Sequence, residues 1–237
     1  MRIAVFPSAF HPHLGGVEEL VRQLAHSYVR AGHDVLVVTN RWPRDLPVTE
    51  IFEGLSVNRI PFRVPSVSFK SRLSFGLTRQ LVRKQVTSIL ESHSVDVVHV
   101  QCISSNGEYA RLAAGRLGIP LVATTQGEIT MDAGKLYQSS ARANDQLRLL
   151  VAEAAMVTAV SRKTLLDLES QVGHSLPDAE VIPNGAAVRE LSGAVPLRRK
   201  RPYLFALGRL VPEKAFDDLL TALSLRSEER RVGKECW

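Results

Sequence analysis

Short apolar runs alternate with stretches of helical spacing along most of this chain, and that alternation leaves few architectures open. Arg2 to Phe6 is an apolar run. After a loop, Val17, Leu20, Val21, Leu24, Ala25 and Tyr28 recur at the spacing of an amphipathic helix. Gly32 closes that helix in a C′ role, and Asp34 to Thr39 forms a second buried run. A strand, a helix and a strand in this order predict a right-handed parallel crossover.

The pattern then repeats. Val48 to Ile60 predicts a hairpin or two short strands around Glu53-Gly54. Lys70 to Leu90 predicts a helix with Leu73, Leu77, Leu81, Val82, Val86 and Ile89 on one side. Lys70, Arg72, Arg79, Arg83 and Lys84 form its polar side, read first as a solvated face over the core. Val95 to Val100 and Leu121 to Thr125 read as strands, with a helix over Ser105 to Leu117 between them. Gln126 and Glu128 follow at a strand C-terminal end, where open α/β sheets place their ligands. Asn144 to Glu153 is a predicted helix and Met156 to Val160 a strand. Ser161 caps a helix to about Ser170, and Ala179 to Ile182 is a last strand before the turn Pro183-Asn184-Gly185.

Residues 187–201 have no clear period and end in Arg-Arg-Lys-Arg, which reads as a linker. Tyr203 to Leu207 then predicts a buried strand ending at Gly208. Pro212 and Glu213 open a predicted helix carrying Phe216, Leu219, Leu220 and Leu223 on one face. Arg209 and Lys214 sit beside that helix start, an arrangement suited to a phosphate. Gly15 and Gly16 offer a second such helix start, since Gly lets an anion approach the backbone closely.

Several function classes are excluded or disfavoured. No apolar run has the length of a membrane-spanning helix, and the N-terminus lacks a signal-peptide core. Cys102 and Cys236 fit neither a metal spacing nor a disulfide framework, so a reducing cytoplasm is expected. The net charge of +6 is compatible with an anionic substrate. Zinc spacing and interleaved aromatic residues are absent, which argues against nucleic acid. His-Pro-His-Leu-Gly-Gly stands where a dinucleotide enzyme would carry GxGxxG, which disfavours a nicotinamide-dependent oxidoreductase. Residues 226–237 break the pattern and look like a translated sequencing adapter, so they are expected to be non-native and the chain a fragment.

The motifs HPHLGGVEELVRQLA, GHDVLVVT, DVVHVQ, IPLVATTQGE, VTAVS, VIPNG and LGRLVPEKAFDDLLTAL, in this order, resemble family 4 of the retaining glycosyltransferases. That resemblance implies the two-domain GT-B fold. Residues 1–186 would be the acceptor-side, Rossmann-like parallel-sheet domain, 187–201 the linker, and 202–225 the first βα unit of a second, donor-binding Rossmann-like domain that is cut short. It implies a nucleotide-sugar donor whose diphosphate is held by Arg209, Lys214, Gly15 and Gly16. The acceptor, a glycan, lipid or small molecule, is not specified. Neither metal nor cofactor is expected, and the location is cytoplasmic, with peripheral contact at the inner face of the membrane left open by the basic helix. Acceptor or sugar contacts are expected at His11 and Glu128.

Some positions depart from the family. Gln126 stands where many relatives carry a His near the reacting sugar; as the candidate catalytic residue it can hydrogen-bond a hydroxyl but cannot exchange a proton near pH 7. Gln101 replaces another His, Ala215 a Gly, and Ala187 an Asp. The family's Glu-x7-Glu motif is expected beyond Leu225, so residues 1–237 alone should have little transferase activity. The alternative is a non-catalytic module that binds an acceptor or partner protein.

Overall fold

The computed structural model describes residues 1–62, 69–131, 136–185, 203–208 and 210–225. In chain order the strands and helices are β1 (Arg2–Pro7), α1 (Gly16–Arg30), β2 (Asp34–Asn40), β3 (Thr49–Phe52), β4 (Leu55–Ile60) and α2 (Phe69–Ser92). There follow β5 (Val97–Gln101), α3 (Ser105–Leu117), β6 (Leu121–Thr125), α4 (Glu128–Met131), α5 (Leu136–Ser139) and α6 (Ala141–Glu153). The series ends with β7 (Met156–Ala159), α7 (Arg162–Val172), β8 (Glu180–Val181) and α8 (Phe216–Leu225). The chain forms two compact units, Met1–Ala187 and Val188–Trp237.

In the first unit the strands make one sheet in the order β3-β4-β2-β1-β5-β6-β7-β8. Every pairing is parallel except β3 with β4, a hairpin closed by Glu53 and Gly54, both at positive φ. Glycine suits the second position because it meets no Cβ penalty at φ 83°. β1 lies between β2 and β5, so the strand order reverses there and a crevice opens at the carboxyl ends.

Side-chain alternation divides the core. Even-numbered Ala4 and Phe6 of β1 and Val98 and Val100 of β5 face the layer of α2, α3, α6 and α7. Odd-numbered Ile3 and Val5 face α1 through Val21 and Ala25. Among the described helices, α1 alone covers that second face, and it packs on β1 and β2. The odd-numbered face of β5 and its continuation across β6 and β7 therefore carries His99, Gln101, Thr124 and Thr158 outside both apolar clusters.

Helix ends follow local chemistry. Ser140 and Ser161 accept from Ala143 N and Thr164 N as N-caps. Gly118 and Gly173 close α3 and α7 in the left-handed region. On α2, Phe75, Val82, Val86 and Leu90 are buried, whereas Leu81, expected on the apolar side, is 67% exposed. At about 100° per residue Leu81 lies one position before Val82 and beyond the edge of the buried stripe. Arg79 is not a free basic residue: it shares Glu108 Oε1 with Arg142, each at 2.6 Å. The side chains of Lys70, Arg72, Leu73 and Leu77 lie outside the described part.

The second unit differs from expectation. Tyr203 to Leu207 is not a buried strand; Phe205 is 78% and Leu207 86% exposed. A parallel strand needs partners on its edges and cover on its faces, and no other strand is described in this unit. Pro212–Lys214 forms a 3-10 turn, Ala215 enters the left-handed region at φ 51°, and α8 begins only at Phe216. The apolar face of α8 has no buried residue. Residues 187–201, Arg209 and 226–237, including the expected linker and tail, lie outside the described residues.

Candidate functional site

The crevice beside β1 is bordered by the loop of residues 8–15. Phe10 anchors that loop at 1% exposure. His11 stacks on Phe52 of the β3-β4 hairpin with ring centroids 4.6 Å apart. The buried Arg59 donates from Nη2 to His11 O and to Glu50 Oε1, both at 2.5 Å. The hairpin thus braces the loop, and His11 serves that brace. The loop is also tied down through His13, whose Nε2 lies 2.5 Å from Trp42 O.

The loop delivers the N-terminus of α1. Gly15 is its N-cap in extended conformation and no side chain caps the helix. The first-turn amides of an uncapped helix are open to an anion. A Cβ on Gly16 would meet nothing within 4 Å, and its φ is not in the left-handed region. Neither packing nor backbone conformation within the described fold demands glycine at 16. At Gly15 a Cβ would collide with the Glu18 carboxylate, the mobile end of a first-turn acid. Its neighbour Glu19 is paired with Arg22 at 2.7 Å, and hydrogen bonds from Arg22 first and Gln23 second hold its carboxyl down at about 2.

Two side chains lock the loops that follow β5 and β6. Asn106 is fully buried in the first turn of α3; its Oδ1 accepts from Ser104 N and Gly107 N, and its Nδ2 donates to Phe6 O. Glu128 turns its carboxylate inward, where Oε1 accepts from Ile103 N at 2.7 Å and Oε2 from Gln126 N at 2.6 Å. Burial pushes its pKa up, against the opposing pull of those backbone donors. The carboxylate expected to contact a sugar or acceptor is thus engaged in joining two loops.

Beyond Glu128 a polar path crosses the open sheet face. Tyr28 Oη is 3.1 Å from His99 Nδ1, and Gln101 Nε2 is 2.9 Å from His99 Nε2. Gln126 Nε2 donates to Gln101 Oε1 at 2.7 Å, and Asn184 Nδ2 donates to Gln126 Oε1 at 2.8 Å. Burial lowers the His99 pKa to about 4, so its ring is neutral near pH 7. These residues line a groove of about 450 Å³ that also runs along Leu20 and Leu24 of α1.

Of the residues singled out from sequence, the structure joins Gln126 to Glu128 directly. His11, Gly15 and Gly16 share the loop after β1. Lys214 belongs to the second unit, where it is exposed and its Cγ lies beside Gly208, as does the Phe216 ring. Arg209 lies outside the described residues. Sequence reading missed Arg59, Asn106, His99 and Asn184. For Arg59, His99 and Asn106 the one available signal was a polar residue inside an apolar strand or at a helix start, Asn184 showed only as a turn residue, and neither signal reveals the partner. Among the described residues no group of three or more His, Cys, Asp or Glu is placed to hold a metal ion.

An open, mostly parallel sheet with its crevice beside the first strand defines a Rossmann-like α/β architecture, the kind of domain from which the GT-B fold is built. In agreement, a sucrose-phosphate synthase from Thermosynechococcus elongatus superposes with TM-score 0.54 at 16% identity, covering 77% of this chain and 47% of that one. Residues 14–190 match Glycosyltransferase Family 4, and the chain belongs to that family. It is 28% identical to a GDP-mannose-dependent alpha-mannosyltransferase of Mycolicibacterium smegmatis, over 92% of this chain and 59% of the relative. It is 25% identical to the phosphatidylinositol N-acetylglucosaminyltransferase GPI3 subunit of Saccharomyces cerevisiae, over 93% of this chain and 48% of the relative. The chain thus spans about half to three fifths of the length of these relatives.

Proposed function

We propose that this chain supplies the acceptor-side lobe of a retaining glycosyltransferase that moves a sugar from a nucleotide-sugar donor to an acceptor hydroxyl. The observation that carries this reading is the uncapped N-terminus of α1 with an unobstructed Gly16. Its amides suit a donor diphosphate, and the family resemblance assigns Arg209 and Lys214 to the same kind of group. As the glycosidic bond breaks, the leaving diphosphate gains negative charge. A helix N-terminus stabilises such charge. Gln126, at the end of β6, is suited to hydrogen-bond the sugar.

Family membership supports the reaction class, and the name of the mycobacterial relative makes GDP-mannose the first donor to try. The acceptor is a glycan, a lipid or a small molecule. Among the described residues no helix is long and apolar enough to cross a membrane. We place the protein in the cytoplasm, with any membrane contact peripheral and through the basic side of α2.

The test is calorimetric titration of pyrophosphate, GDP and GDP-mannose into the protein and into Gly16→Val, alongside an assay of mannose transfer. Diphosphate-dependent binding that the substitution removes supports the reading. Equal binding by both proteins, or none by either, overturns it.

A further inference from the structure

The groove-lining amides have a direction. Gln101 offers an N–H to His99 Nε2 at 2.9 Å, so that nitrogen is an acceptor and the ring proton resides on Nδ1. From Nδ1 it is donated to Tyr28 Oη at 3.1 Å. Thr124 Oγ1 also lies 2.8 Å from Nε2, but Thr158 Oγ1, 2.7 Å from it, gives its hydroxyl another acceptor. With its N–H spent on His99, Gln101 turns its oxygen to Gln126 Nε2, 2.7 Å away. The oxygen of Gln126 in turn faces Asn184 Nδ2 at 2.8 Å. Each amide is thereby oriented by the one before it.

We propose that His99 and Gln101, with Asn184 at the other end, are positioning residues that fix the polarity of the Gln126 amide. One N–H and one lone pair of Gln126 remain for a ligand, each in a set direction. A freely flipping amide would exchange donor and acceptor, and would treat alternative hydroxyl configurations alike. The relay makes Gln126 selective among sugars by hydrogen-bond direction, because a mismatched donor or acceptor leaves a polar group unpaired. This selectivity rests on the glycosyltransferase reading; the relay itself does not.

The decisive experiment is nuclear magnetic resonance on the chain, reading the His99 ring nitrogens at neutral pH and the side-chain amide signals of Gln126. The expected result is a neutral ring protonated at Nδ1, and one slowly exchanging Gln126 amide whose signals shift and average in Gln101→Leu. Gln101 is only 3% exposed, so Asn184→Ala, at the exposed turn, provides a second variant that spares the core. Ring protonation at Nε2, or Gln126 signals unmoved by Asn184→Ala, overturns the relay. The resonance data decide the relay independently of transfer, of which residues 1–237 alone are expected to show little, so failure of the diphosphate titration would count against the glycosyltransferase reading and leave the relay standing.

Discussion

The buried amide of Asn106 donates to the carbonyl oxygen of Phe6 at 2.7 Å, joining the first turn of α3 to the end of β1 across 100 positions of sequence. The same side chain accepts from two backbone amides, Ser104 N and Gly107 N. It therefore ties the end of β1 to the loop that follows β5, beside the crevice. Asn106→Ala strands these buried groups, each worth about 1–3 kcal/mol when unpaired. We expect a loss of at least about 2 kcal/mol in urea unfolding, and Asn106→Asp to lose stability too, because a carboxylate cannot donate to Phe6 O. A change under about 0.5 kcal/mol in Asn106→Ala would contradict this role.

Arg59 is 1% exposed while its partner Glu50 is 30% exposed at the side chain. The asymmetry ranks two substitutions. Arg59→Met leaves His11 O and Glu50 without their donor and should cost about 1–3 kcal/mol. Glu50→Gln keeps an oxygen facing the guanidinium at the wet end of the pair and should cost less, about 0–1 kcal/mol. Urea titration of both variants checks the order, and the reverse order would show that the loop of residues 8–15 is not braced through Arg59.

Gly16 separates stability from function. Since a Cβ there meets nothing and φ is ordinary, Gly16→Ala should leave stability unchanged or raise it by up to about 1 kcal/mol through helix propensity. Diphosphate binding should weaken, because the added Cβ keeps the anion from approaching an amide that alanine still carries. Thermal unfolding and donor titration on the same sample read both sides of the prediction.

His99 makes stability depend on pH. Burial lowers its folded pKa from 6.5 to about 4, so between these values the unfolded chain binds the proton more readily. The contribution of neutral His99 is whole above about pH 6.5, declines as the pH falls toward 4, and is flat below. The full difference is on the order of 3 kcal/mol. In His99→Asn that slope should vanish, so the gap between the two proteins, followed by denaturant titration from pH 7.5 to 4, should narrow as the pH falls. A constant gap would mean the ring titrates normally in the fold.

The alternation of apolar runs and helical stretches sufficed for β1, α1, β2, α3, β6 and the cap at Ser161, because those elements depend on periods and local caps carried within a few residues. Other features arise only when distant segments meet. Glu128 reads in sequence as a loop acid open to ligand, yet it faces Ile103 N, 25 positions away. Asn184 looks like a turn residue and Gln126 a lone amide until 58 positions of chain bring them to 2.8 Å. Tyr203 to Leu207 shows the reverse case: its composition favours a strand, but a strand exists only where neighbouring strands accept its backbone hydrogen bonds. Local propensity therefore set the elements, and long-range pairing of polar groups, which no period records, set the chemistry of the groove.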